Sequence, residues 1–210
     1  RVRKVAPDGT ISTFAGTGTR GFSGDGGPAA LAQFDIPTGV AVDRDDNIYI
    51  VDSYNDCIRK IDQNGVITTI AGHPDNLQLP PGYGDGGPAT MAEFNSASDI
   101  IIDPSGNIYV IDSERIRKID TNGIIHHFAG KGMAFNGEGG PATETGLGEP
   151  RSIATRGGEL FIDAPEYHKI RKVDASGIIT TIAGRVPGDV PAPLFNGYGG
   201  NGGPAIDALL

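Results

Sequence analysis

The stretch GVAVDRDDNIYIVDSYNDCIRKIDQNGVITTIAG, residues 39–72, reads as four short β-strands separated by turn residues. The four strands are designated a to d in chain order. The a–b connection is RDDN, and the c–d connection is DQNG, a hairpin signal ending in a glycine that tolerates φ > 0. The same order recurs twice. Strand a returns as DIIID (99–103) and SIATR (152–156), and strand b as NIYVID (107–112) and ELFIDA (159–164). Strand c returns as IRKID (116–120) and IRKVD (170–174), and strand d as GIIHHFAG (123–130) and GIITTIAG (177–184). The chain start, VRKV (2–5) and GTISTFAG (9–16), supplies the last two strands of an earlier unit.

A unit of four short hairpin-linked strands cannot bury both faces alone. Radial stacking of such units does bury them, and near-identical units do not arise in a two-sheet sandwich. The fold expected is therefore all-β: a β-propeller of four-stranded antiparallel blades, with about three and a half blades present. The complete blades fall at 37–72, 95–130 and 150–184, with residues 1–16 as the last two strands of a blade. The linkers are 17–36, 73–94, 131–149 and 185–210.

A glycine motif marks each linker: GDGGPA at 24–29 and 84–89, GEGGPA at 137–142 and GNGGPA at 200–205. Its starts lie 60, 53 and 63 residues apart, and Pro-rich insertions at 73–84 and 185–199 absorb the variation. Proline followed by AALAQF or ATMAEF predicts a single helical turn with proline at its first position. Asp25 and Asp85 then stand near the positive end of its dipole.

The composition agrees. Glycine and proline together make 48 of 210 residues, about twice their ordinary share. With no tryptophan, the core rests on Ile, Val, Leu and Ala. A formal net charge of −9 disfavours nucleic acid, because phosphate binding needs a basic surface. Cys57 is the sole cysteine, so no disulfide forms within these residues, and no apolar run reaches the ~18 residues that span a bilayer.

The runs GFSGDGGPA (21–29), PTGVAVD (37–43), NIYIVDSYN (47–55), IRKI (58–61) and ITTIAG (67–72) resemble the NHL repeat family. The resemblance covers essentially the whole chain. It implies a six-bladed ring, so residues 1–210 would be one partial propeller domain whose remaining blades lie elsewhere in the same chain. The family serves as extracellular or periplasmic scaffolds, sensor domains and RNA-binding modules, and a related group are enzymes. Fold alone does not choose among these.

Comparison among the units separates architecture from function. Asp52 and Arg59, Asp112 and Arg117, and Asp163 and Arg171 recur and are expected as structural ion pairs, one per blade. The glycine motif lacks a recurring lysine for a phosphate, and its acid varies (Asp25, Asp85, Glu138, then Asn201), so it reads as a tight inter-blade turn. The aromatics before it, Phe22, Tyr83, Phe135 and Tyr198, read as packing against a neighbouring blade. His126 and His127 are adjacent on a strand and point to opposite faces, so they cannot chelate one ion together. No second His, Cys or carboxylate stands beside His73 or His168 in the sequence at a zinc spacing, and Asp99 is the one charged residue at a strand-a start, a lone candidate for a channel-mouth ligand. No metal, cofactor or catalytic residue is expected, and Cys57 reads as an incidental thiol.

Strand alternation puts the a–b and c–d turns on one face and the b–c loops and linkers on the other. The second face carries what varies. Tyr54, Asn55, Asp56, Glu114, Arg115, Glu166, Tyr167 and His168 are the candidate binding residues. The reading is a non-catalytic scaffold or binding module for protein or ligand, from a bacterial exported or cell-surface protein, extracellular or periplasmic. The alternative is a propeller enzyme, a lyase or lactonase-like hydrolase, whose active site lies mainly in other blades.

Overall fold

A computed structural model describes residues 1–74, 84–133, 137–184, 200, 202–208 and 210. Strands β1 (Val2–Val5) and β2 (Ile11–Ala15) form a two-stranded antiparallel sheet. Strands β3 (Pro37–Val42), β4 (Ile48–Asp52), β5 (Cys57–Ile61) and β6 (Ile67–Gly72) form the first four-stranded meander. The second is β7 (Ala97–Ile102), β8 (Ile108–Asp112), β9 (Arg115–Ile119) and β10 (Ile125–Ala129). The third is β11 (Ile153–Arg156), β12 (Glu159–Ala164), β13 (Lys169–Val173) and β14 (Ile179–Ala183). These are the four-stranded blades that the repeat implies.

An aspartate builds the a–b turns of the first two blades and the c–d turns of all three. In the a–b turns, Asp43 Oδ1 accepts the Asp45 and Asn47 amides, both at 2.9 Å, and Asp103 Oδ1 accepts those of Ser105 and Asn107 at 2.8 and 2.9 Å. In the c–d turns, Asp62 accepts the Asn64 and Val66 amides, Asp120 those of Asn122 and Ile124, and Asp174 those of Ser176 and Ile178. These side-chain bonds substitute for ladder bonds that end at the turn.

The ionised carboxylate makes these bonds, and acid should undo them. The Val66 amide holds the Asp62 carboxyl below its ordinary range, and the Ile124 amide does the same for Asp120. At Asp43 and Asp103 burial pushes upward, but the bonds from Asn47 and its neighbours and from Asn107 and its neighbours outweigh it. A depressed folded pKa gives stability that is present above the unfolded value and lost as pH falls through the folded one. Buried Asp52 and half-buried Asp56 run the other way and take up protons first. The melting temperature is therefore expected to drop below about pH 4. Asparagine at both Asp62 and Asp120 should flatten that drop, and melts between pH 7 and 2.5 read it directly.

The helical turns after the glycine motif are one-turn 3-10 helices: Ala29–Leu31, Ala89–Met91, Ala142–Glu144 and Ala205–Asp207. Proline does not occupy the first helical position. Pro28 has φ −63° and ψ 127°, so it stands at the N-cap in extended conformation. Its extended backbone makes a bridge to Val66 of the following blade, as Pro88 does to Ile124 and Pro141 to Ile178.

The chain falls into two compact units, Arg1–Asp112 with Arg117–His127, and Ser113–Ile116 with Phe128–Leu210. In the first unit, alternation along β4 splits its side chains between two cores. Ile50 joins Ala15, Ala29, Ala32, Phe34, Ile61 and Ile67. Tyr49 and Val51 face the other way, toward Phe94, Ile100, Val110, Ile119 and Ile125. Apolar residues on both faces of one strand are what layered blades require. In the second unit, Leu147, Ile153, Leu160, Ile162, Val173 and Ile179 are buried.

Candidate binding face at the b–c loops

The b–c loops are held from below by an arginine in strand c. Arg59 is fully buried. Its Nε and Nη2 donate to Asp25 Oδ1 at 3.1 and 2.5 Å, and Nη2 also donates to the Ser23 carbonyl at 3.1 Å. Nη1 lies 3.5 Å from Asp52 Oδ2. Phe22 and Phe34 lie 4.6 and 5.6 Å from the guanidinium carbon, within cation–π range. Arg117 repeats the arrangement, donating to Asp85 at 3.0 and 2.8 Å and to the Glu93 carbonyl at 2.6 Å, with Asp112 at 3.5 Å.

The register explains why Asp52 and Arg59 meet. Asp52 is opposite Cys57 and Ile50 is opposite Arg59, so the aspartate and the arginine share a face, two residues apart. The third blade departs from the expected pair. There Asp163 is opposite Ile170 and Arg171 is opposite Ile162, which puts Asp163 and Arg171 on opposite faces. Ala164, opposite Lys169, occupies the place of Asp52. Arg171 instead meets Glu138 of the glycine motif, Nη2 to Oε2 at 3.2 Å. Burial pulls the Arg171 guanidinium down and the Glu138 charge partly restores it.

Sequence reading missed the main partner of each arginine, the acid of the glycine motif. That acid also fastens strand d: Asp25 Oδ2 accepts the Thr69 amide at 3.0 Å, and Glu138 Oε1 accepts the Thr181 amide at 2.6 Å. It does not serve the helix dipole. A signal existed: an acid stands 34, 32 and 33 residues before the arginine in the three units.

The loops themselves are tied down unequally. Tyr54 is 68% exposed. Beside it, Asn55 Nδ2 donates to the Gly21 carbonyl at 3.0 Å and to Asp52 at 2.9 Å, and Ser53 Oγ donates to the Ala97 carbonyl at 2.7 Å. Asp56 ends this loop in left-handed conformation, φ 48°, as His168 ends its own at φ 52°. In the third blade Tyr167 takes the place of Asn55, and its hydroxyl donates to the Met133 carbonyl. Of the eight candidate residues, Tyr54, Glu166 and His168 are exposed, while Asn55, Asp56, Glu114, Arg115 and Tyr167 are half-buried. Phe22, expected as packing, presents its ring to Arg59 and remains 37% exposed beside the Asn55–Gly21 tie. Tyr83, Phe135, Tyr198 and most of both Pro-rich insertions lie outside the described residues.

The chemistry available elsewhere is limited. Cys57 is fully buried, and burial, helped by the Asp52 charge, pushes its thiol far up, so the thiolate does not form near neutral pH. His126 Nε2 lies 3.2 Å from Asp120 Oδ2 on the exposed side of β10. Asp99 Oδ1 accepts the Ile100 amide at 2.9 Å. Among the described residues no group of three or more His, Cys, Asp or Glu is placed to hold a metal ion. No helix among them is long and apolar enough to cross a membrane.

A family model described as the Teneurin NHL domain matches residues 19–82 and 79–136. The chain belongs to this family. Teneurin-1 of Mus musculus is 32% identical over 203 residues, covering 89% of the chain and 7% of that protein. Teneurin-m of Drosophila melanogaster is 26% identical over 80% of the chain and 6% of that protein. The chain thus spans less than a tenth of the length of these relatives. Both are animal proteins, so they lend no support to the bacterial source expected from sequence. Among solved structures, the virginiamycin B lyase of Staphylococcus aureus aligns with a TM-score of 0.52 at 18% identity, over 85% of the chain and 47% of the lyase. An auxiliary nutrient binding protein from Bacteroides thetaiotaomicron gives 0.56 at 14%, over 84% and 39%. A chain of a nidogen/laminin complex gives 0.51 at 21%, over 73% and 50%. At these identities the likeness shows the fold alone.

Proposed function

We propose that this teneurin-type NHL domain is a non-catalytic extracellular binding module that engages a protein partner or ligand through its b–c loop face. The observation that carries the reading is the contrast within one loop. Ser53, Asn55 and Asp52 are locked by hydrogen bonds, while Tyr54 between them is left 68% exposed. A rigidly mounted exposed tyrosine offers a large contact area at small entropic cost, the profile of an interface anchor. The enzymatic alternative is supported only by the fold likeness to a lyase, and a shared fold does not carry an activity. The net charge of −9 supports a protein or ligand partner over nucleic acid.

Alanine at Tyr54 is expected to weaken binding of the chain to cultured animal cells at least about tenfold, with an unchanged melting temperature. Alanine at Asp46 and Asn64, on the opposite turn face, should leave binding intact. Equal losses from both sets would overturn the assignment of the face.

A further inference from the structure

The linker that leads into the first complete blade carries a strained backbone at Ile36. Its φ is 47°, in the left-handed region. The other non-glycine residues of positive φ among the described residues are aspartates, serines and a histidine, so Ile36 is the one β-branched side chain held there. Pro37 follows it, and a proline presses the residue before it toward extended backbone. Both preferences oppose the conformation that Ile36 adopts.

The strain sits beside a clasp of the candidate loop. Asp35 donates its amide to Asp52 Oδ1 at 2.7 Å, and its carbonyl accepts the Tyr54 amide at 3.1 Å. Its carboxylate lies 3.3 Å from Arg20 Nε. Asp35 thus joins the linker to the end of β4 and to the 3-10 turn Ser53–Asn55. Turning Ile36 to extended backbone would redirect Asp35 and break both bonds. Two further ties of the loop, Asn55 to Asp52 and Ser53 to the Ala97 carbonyl, do not pass through Asp35.

The other blades make the same connection without this cost. Pro37 is opposite Asp52 as Ala97 is opposite Asp112, so Ser96 holds the place of Ile36 in the second blade, at φ 69°. There the Asn95 amide donates to Asp112 Oδ1 at 2.5 Å, as Asp35 does to Asp52. In the third blade the left-handed residue is Gly148, also at φ 69°. The left-handed turn is therefore architecture. An isoleucine before proline in that turn is peculiar to the blade whose loop exposes Tyr54. Strain kept where serine or glycine serves elsewhere marks a position held for movement rather than for stability.

We propose that Ile36 is a strained catch: a partner's peptide main chain engages this face with the Asp35 ties released, and one of its carbonyls accepts the freed Tyr54 amide. The catch rests on the b–c loop face being a binding face and adds how that face receives its partner. The ties of Asn55 and Ser53 keep Tyr54 mounted while the linker moves clear. Strain lowers the cost of release, so apparent affinity rises with the fraction of released chains.

Two changes relieve the strain by different routes. Ile36→Asn introduces a residue that adopts left-handed backbone, and Pro37→Ala places there the residue found at Ala97. Each should slow hydrogen exchange of the Asp35 and Tyr54 amides at least about fivefold and leave the Asn95 amide unchanged. Each should also weaken binding of the chain to cultured animal cells by a similar factor. A merely structural turn would bind no worse when it is better held. Unchanged or faster exchange at both amides would show that the turn stores no strain and would overturn the catch. Slower exchange with unchanged or tighter binding would overturn it too, since the closed form would then be what binds. If Tyr54→Ala weakens binding while Ile36→Asn and Pro37→Ala do not, the face stands and the catch falls. If Tyr54→Ala leaves binding intact, the face itself falls.

Discussion

Arg59→Met is expected to destabilise the first unit by about 3–5 kcal/mol, the cost of stranding a buried charge. The guanidinium is fully buried and joins five groups: Asp25, the Ser23 and Gln33 carbonyls, Asp52 and the face of Phe22. Methionine fills much of the volume but leaves the fully buried Asp52 carboxylate without its countercharge. Asp25→Asn should cost only about 1 kcal/mol, because Asp25 is 39% exposed and the amide can still accept one bond. Adding Asp52→Leu to Arg59→Met should recover part of the loss. Urea unfolding followed by near-ultraviolet absorbance of the tyrosines reads all three. A loss below about 1 kcal/mol for Arg59→Met would show that the arginine is not the clasp of its blade.

The second large effect is expected at Gly72. It closes strand β6 against the end of the b–c loop with φ +84°, and a Cβ there would stand 2.2 Å from the Asp56 carbonyl and 2.7 Å from Cys57 Cα. Both obstacles are backbone, so neither can swing aside. Gly72→Ala should cost about 3 kcal/mol, from the left-handed conformation and the overlap together. Gly65→Ala is the matched control: its φ is +77°, but nothing lies within 4 Å of the added Cβ. It should cost about 1 kcal/mol, the conformational part alone. Equal losses at the two sites would mean that the contact contributes nothing. Gly130 and Gly184 sit in the same way against the Glu114 and His168 carbonyls. The AG that closes each strand d is thus the point where a blade clamps its own loop, and Gly72 fixes where Asp56 stands.

Much of the blade was legible because its rules are local. Alternation along NIYIVD predicts a strand, and DQNG predicts a hairpin, from neighbouring residues alone. The candidate face was legible only in outline. Asn55 and Tyr54 are adjacent and equally polar in pattern, yet one is tied to Gly21, 34 residues away, and the other is free to make contacts. Asp163 looks like Asp52 because both close a strand-b motif, but one position of displacement turns it to the other face.

The amino-acid sequence by itself determined the repeating four-stranded unit, the positions of its turns and the family to which it belongs. Each depends on geometry spanning a few residues, and the repeat states it several times over. Tertiary structure alone decided which acid meets each arginine and which loop residues stay exposed. Those pairings join residues some thirty positions apart, as Arg59 and Asp25 are, and their strength depends on burial, which no local pattern encodes.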